Sequence, residues 1–305
     1  MSLEIPAGGE AAQRDANPAM AFTMWTLKAI LLWIAQLAAC VVAYKLVPVD
    51  LPVPAQDGPL TGMQALLTVS GLIAISLSLL AAKARVRGWR LAVLLFAAQF
   101  LIGSAMMQIE TVYFNESIRM PLAAIGGIVA QCAIAAAFTA MAGAVLFRPA
   151  PGGENAVPAN LLPRVAAMAV IYVLLYYGAG FFIAWQSAAV RAFYGNGIHI
   201  DLATTVAFQI FRGTLWALIA LYIATRMKGS LASRALVMAV LFAVLTAGQL
   251  LYPNTQFGWD VRQAHLVEVG TSEFVYGLIA TFVLLGGAAK KKLAPNSPWR
   301  LIAKA

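Results

Sequence analysis

The chain has 305 residues, of which 62% are hydrophobic and 11% charged, with a mean hydropathy of +0.81 and a net charge of +9. A soluble domain is about half apolar and a quarter charged, so these values exclude a soluble globular protein and point to a polytopic membrane protein. The positive charge does not read as a nucleic-acid surface, because the basic residues fall in short clusters between apolar runs and no binding motif accompanies them.

Eight apolar segments are predicted to cross a bilayer as helices, at 24–47, 60–82, 89–111, 120–147, 161–185, 203–225, 231–252 and 263–288. Each is close to the ~20 residues that span a hydrocarbon core. The fold class is therefore all-α, a membrane helix bundle in one domain over 23–289. Residues 1–22 are expected to form a disordered tail and 290–305 a basic one. The spacing from Gln64 to Lys83 repeats from Gln209 to Lys228, so the bundle reads also as two parallel halves of four helices, divided near 148–160.

Lysine and arginine set the expected orientation. Sixteen lie in or bordering the N-terminal tail, the second–third, fourth–fifth and sixth–seventh connections and the C-terminal tail; four (Lys45, Arg119, Arg191, Arg262) lie in or bordering the other side, and Arg212 lies deep within a span. The positive-inside rule then places both termini in the cytoplasm, in a bacterial inner membrane. Trp25, Trp89 and Trp299 would mark the inner interface, Trp185 and Trp259 the outer one. Leu37-Ala38-Ala39-Cys40 resembles a lipoprotein cleavage box, but the apolar run continues past it and the stretch ahead is long and acidic. Cys40 and Cys132 read as small packing residues.

The polar residues at membrane depth are unevenly placed. Gln108 and Glu110 end the third span, Thr205, Gln209 and Arg212 open the sixth, Gln249 closes the seventh, and Arg262, His265, Glu268 and Glu273 open the eighth. All fall in the outer half, which reads as a cavity open to the outside. At 100° per residue, His265, Ser272 and Tyr276 share a stripe on the last helix, with Glu268 on one flank and Arg262 and Glu273 on the other. On the third span Gln99, Gly103 and Glu110 are expected to share a face; on the sixth, Thr205, Gln209, Arg212 and Trp216 do. Arg212 and Glu273 lie roughly 14 Å below the outer surface, where each needs a partner. The expected pairings are Arg212 with Glu273, or Arg212 with Glu110 or Glu268. Arg262 and His265 are nearer the surface and are expected to meet water or headgroups.

His265 and Glu268, three residues apart, could share a metal, with Glu110 and Glu116 adding oxygens; alternatively His265 carries protons or touches substrate. A second histidine, His199, lies in a loop at the same level. No zinc-protease, nucleophile-elbow, phosphate-loop or dinucleotide pattern is present, so no cofactor is expected.

Three stretches, QIETVYF (Gln108 to Phe114), FRGTLW (Phe211 to Trp216) and VRQAHLVEVGTSEF (Val261 to Phe274), resemble recurring elements of an uncharacterised bacterial multi-pass membrane-protein family. The resemblance implies that the three act as one unit and implies no reaction.

Three functions fit. The first is a transporter or permease for an anionic or zwitterionic small molecule, with Glu110, Gln209, Arg212, Gln249, His265, Glu268 and Glu273 binding substrate or coupling protons. The second is an intramembrane enzyme acting on a lipid-linked substrate, with Glu110, His265 and Glu268 as acid, base or metal ligands. The third is an accessory subunit whose charged pairs only hold helices together. The partners expected are membrane lipids and a small molecule.

Overall fold

The structure, a computed structural model, describes residues 18–286 except 53, 55, 151, 153–156, 159 and 196–200, with the side chain of Ser117 also outside the description. His199, Trp299, the basic tail and residues 1–17 of the N-terminal tail lie outside the described residues.

Among the described residues, eight helices are long and apolar enough to cross a membrane. They are α1 (Pro18–Leu46), α2 (Gly62–Lys83), α3 (Trp89–Tyr113), α4 (Leu122–Leu146), α5 (Leu161–Gln186), α6 (Leu202–Thr225), α7 (Leu231–Leu251) and α8 (Trp259–Leu285). The chain is an all-helical, multi-pass integral membrane protein.

Local chemistry sets the helix ends. α1 is helical from Pro18 among the described residues, inside the stretch expected to be a disordered tail, and its Met20, Phe22 and Met24 are exposed apolar side chains. Thr61 and Gln64 close a reciprocal capping box on α2, and Asp201 and Ser230 accept the N–H of Thr204 and Ser233 at the starts of α6 and α7. The 186–202 connection carries a short helix, Ala188–Gly195, whose buried Val190 packs with Val261 of α8.

α3 is not uniform. Ala98–Ala105 is π-helical, and the N–H of Met106 reaches back five residues to Leu101 O. The wider turn changes the phase of everything beyond it. Gln99 therefore does not share a face with Glu110, as a constant 100° rotation predicts. Its amide donates to Gln36 of α1, whose oxygen also accepts from Thr139 of α4. Gly103 meets α7 at Leu245 O, and Glu110 turns toward α6.

Helices approach closely where glycine removes the side chain. A β-carbon on Gly277 of α8 would stand 2.6 Å from Met238 O of α7, and one on Gly213 of α6 would stand 2.9 Å from Ala169 O of α5. Small residues allow such backbone contacts between membrane helices. At the end of the bundle where α2 and α6 finish, the two following segments pair: Lys228 N–H donates to Lys83 O and Arg85 N–H to Arg226 O.

Candidate functional site

α3 and α6 are joined by three contacts about one turn apart. The rings of Tyr113 and Phe208 stack with centroids 3.8 Å apart. The Tyr113 hydroxyl lies 3.2 Å from Thr205 Oγ1. One turn deeper, Arg212 Nη2 meets Glu110 Oε2 at 2.9 Å. Arg212 is 1% exposed. Its Nη1 donates to Gln209 Oε1 and its Nη2 to Met106 O, the carbonyl at the exit of the π segment. The guanidinium also lies over the rings of Tyr172 and Phe208. Of the expected pairings the structure makes Arg212–Glu110. Arg212–Glu273, proposed first from depth, is not an ion pair. Depth alone could not choose, because the π turn in α3 decides where Glu110 points.

On α8, His265 Nδ1 stands 2.6 Å from Glu268 Oε2, and its Nε2 lies 3.3 Å from the Tyr194 hydroxyl on the short helix. The imidazole thus has a carboxylate at one ring nitrogen and a hydroxyl at the other. Burial holds the Tyr194 hydroxyl well above the ordinary tyrosine range. Ser272 Oγ donates back to Glu268 O and Val269 O of its own helix, so it is not part of this chain of groups.

These parts surround one cavity of about 730 Å³. Of the seven residues selected from the sequence, Glu110, Arg212, Gln249, His265, Glu268 and Glu273 line it; Gln209 is buried behind Arg212 and holds it in place. The remaining wall is largely apolar and aromatic, with Tyr172, Tyr176 and Tyr177 from α5, Trp185 and Tyr194. The sequence argument passed over this aromatic wall. Its signal was the spacing Tyr172, Tyr176, which puts two rings on one face of α5.

Glu273 is 8% exposed and has a buried oxygen, Oε2, with no hydrogen-bond donor. Gln108 Oε1 and Tyr177 Oη, also on the wall, are buried and unpartnered as well. An unsatisfied polar atom costs roughly 1–3 kcal/mol, and several gathered on one cavity wall mark where a ligand or water is to be held.

Two expectations are corrected. Arg262 does not reach water: it is fully buried, with Nη1 2.7 Å from Asp57 Oδ2 and further bonds to the carbonyls of Asp57, Leu250, Asn254 and Phe257. It ties the α1–α2 connection to the α7–α8 connection above the cavity. The Arg262 guanidinium holds the Asp57 carboxyl below its ordinary range. The metal set is not assembled either. Glu110 is engaged by Arg212, His265 by Glu268, and Glu116 is exposed and off the cavity wall. Among the described residues no three of His, Cys, Asp and Glu gather at metal-binding distances.

Comparison with protein-family models, with curated proteins and with solved structures finds no match. The reading of the site therefore rests on its own chemistry.

Proposed function

We propose that the protein binds a small amphipathic molecule in this intramembrane cavity and moves it across the membrane. The observation that carries this reading is the convergence of six residues from α3, α6, α7 and α8 on one cavity large enough for a drug-sized molecule, with a buried carboxylate left unpartnered. The positive-inside reading opens this cavity outward and sets both termini in the cytoplasm of a bacterial inner membrane. An anionic solute, the expectation from Arg212 alone, is now less favoured, because Glu110 already answers that charge.

The test is ligand-dependent thermal stabilisation of the purified protein by panels of amphipathic anions, zwitterions and cations, followed by flux of the stabilising solutes into proteoliposomes. Stabilisation and flux that are lost together in Arg212→Ala, in protein that still unfolds cooperatively, support the reading. No stabilisation by any panel and no flux would reject it.

The second reading, an enzyme acting on a lipid-linked substrate, is favoured by one arrangement, the Glu268–His265–Tyr194 chain on the cavity wall. A carboxylate-oriented imidazole bonded to a hydroxyl is equipped to move a proton at the hydroxyl oxygen. Tyr194→Phe separates the two: it should abolish turnover by an enzyme and leave flux through a transporter within about threefold.

A further inference from the structure

The two deepest charged residues of the cavity differ in standing. Arg212 is satisfied by Glu110, Gln209 and the Met106 carbonyl. Glu273 is not: its Oε2 is buried and without a donor. Glu273 shares the cavity wall with Arg212 of α6, Glu110 of α3, Tyr172 and Tyr176 of α5, and His265, Glu268 and Tyr276 of its own helix. α7, packed along α8, has one charged residue, Arg234, near its opposite end. Two carboxylates thus share one arginine, and only Glu110 is bonded to it. The group is one positive charge short.

A buried carboxylate in this position needs that charge from a proton or from a ligand. The wall around it is suited to a ligand cation. Tyr172 and Tyr276 stand edge to face at 5.6 Å, Tyr176 adds a third ring 6.3 Å from Tyr172, and all three line the cavity. Aromatic faces attract organic cations, most strongly where water is excluded.

We propose that the cavity takes an organic cation with an apolar body, and that the cation exchanges with a proton carried by Glu273. This rests on the small-molecule reading above and adds the charge and the counter-ion. The exchange balances: the Glu273 O–H bond breaks, the proton leaves to water at the cavity mouth, the carboxylate keeps the electron pair, and one monovalent cation takes the proton's place. The net charge of the site does not change. An anion would instead add negative charge beside Glu110, Glu268 and Glu273, with Arg212 already engaged.

The full-length protein in lipid nanodiscs is dialysed against tetraphenylphosphonium and, separately, tetraphenylborate, which has the same shape and the opposite charge; empty nanodiscs give the partition background. Saturable phosphonium binding is expected, about tenfold or more tighter than borate, and tightening by about tenfold for each pH unit over which one proton is released per cation bound. In weak buffer about one proton should appear per phosphonium bound. Glu273→Gln should abolish proton release and the pH dependence and weaken phosphonium binding by about tenfold. The two wild-type comparisons hold even if that variant does not fold. Borate binding as tight as phosphonium, binding without proton release, or a folded Glu273→Gln that behaves as wild type overturns the cation proposal and leaves a ligand cavity standing. Binding of neither ion above the background overturns the cavity reading too.

Discussion

Arg262 shows how a charge can serve structure alone. Its five hydrogen bonds go to one carboxylate and four backbone carbonyls, from the α1–α2 connection, the last turn of α7 and the α7–α8 connection. Asp57 is partly exposed and can be solvated once Arg262 is gone, so Arg262→Ala is expected to destabilise chiefly through the carbonyls it leaves unpaired, by about 1–3 kcal/mol in denaturant or thermal unfolding. Arg262→Lys should not restore the loss, because an ammonium cannot match the planar fork. The pH dependence follows from Asp57. Its folded carboxyl lies below the ordinary value, so the stability it contributes is present above about pH 4 and is lost as pH falls through the depressed value. Melting temperature should fall on acidification in wild type and fall less steeply in Asp57→Asn. Arg212 and Glu110 call for a different test. If they are mutually dependent, the double variant Arg212→Met with Glu110→Gln should be more stable than either single variant.

The π segment and the glycine contacts act at the scale of whole helices. Gly277→Ala puts a methyl carbon within 2.6 Å of a backbone oxygen, which cannot swing away as a side chain would. It should cost on the order of 1–3 kcal/mol and, by pushing α8 off α7, should lower ligand affinity as well. Gly126→Ala, where nothing lies within 4 Å, is the neutral control. The same elements explain what could be read in advance. All eight spans were legible because each carries a long apolar run, and the site residues were legible because charge is expensive at that depth. Glu110 as the partner of Arg212 could only be one of three options, since the phase of α3 depends on a π turn with no signature in its composition. The Asp57–Arg262 pair was not legible, because Asp57 sits in a connection where a charge needs no explanation. Tyr194 was missed because its short helix has neither the length nor the periodicity of a span.

At the scale of the molecule, the helices pack in two groups. α1 packs on α2 and α4, and α3 on α4; α5 packs on α6 and α8, and α7 on α8. Between these groups α2 meets α7, and α3 meets both α6 and α7. α5 to α8 carry most of the cavity; the earlier helices lend α3 and a few wall residues such as Ile128. Between α1, α3 and α4, Gln99 and Thr139 both donate to Gln36 Oε1 away from the cavity wall. Replacing Gln36 by Leu should therefore alter stability without changing ligand selectivity, as read by melting temperature and binding in parallel.

The pairing of Lys83–Arg85 with Arg226–Lys228 lies where α2 and α6 end, far from the cavity at the start of α6. Its two backbone hydrogen bonds fasten the segments after α2 and α6 together at that end. A solute moved across the membrane has to leave on the side away from the cavity mouth, so alternating access requires the clasped end to part. A disulfide engineered there by Ala84→Cys with Met227→Cys, in a protein without Cys40 and Cys132, should then abolish flux and leave ligand binding in the cavity intact. Flux undiminished by that cross-link would mean that the exit lies elsewhere.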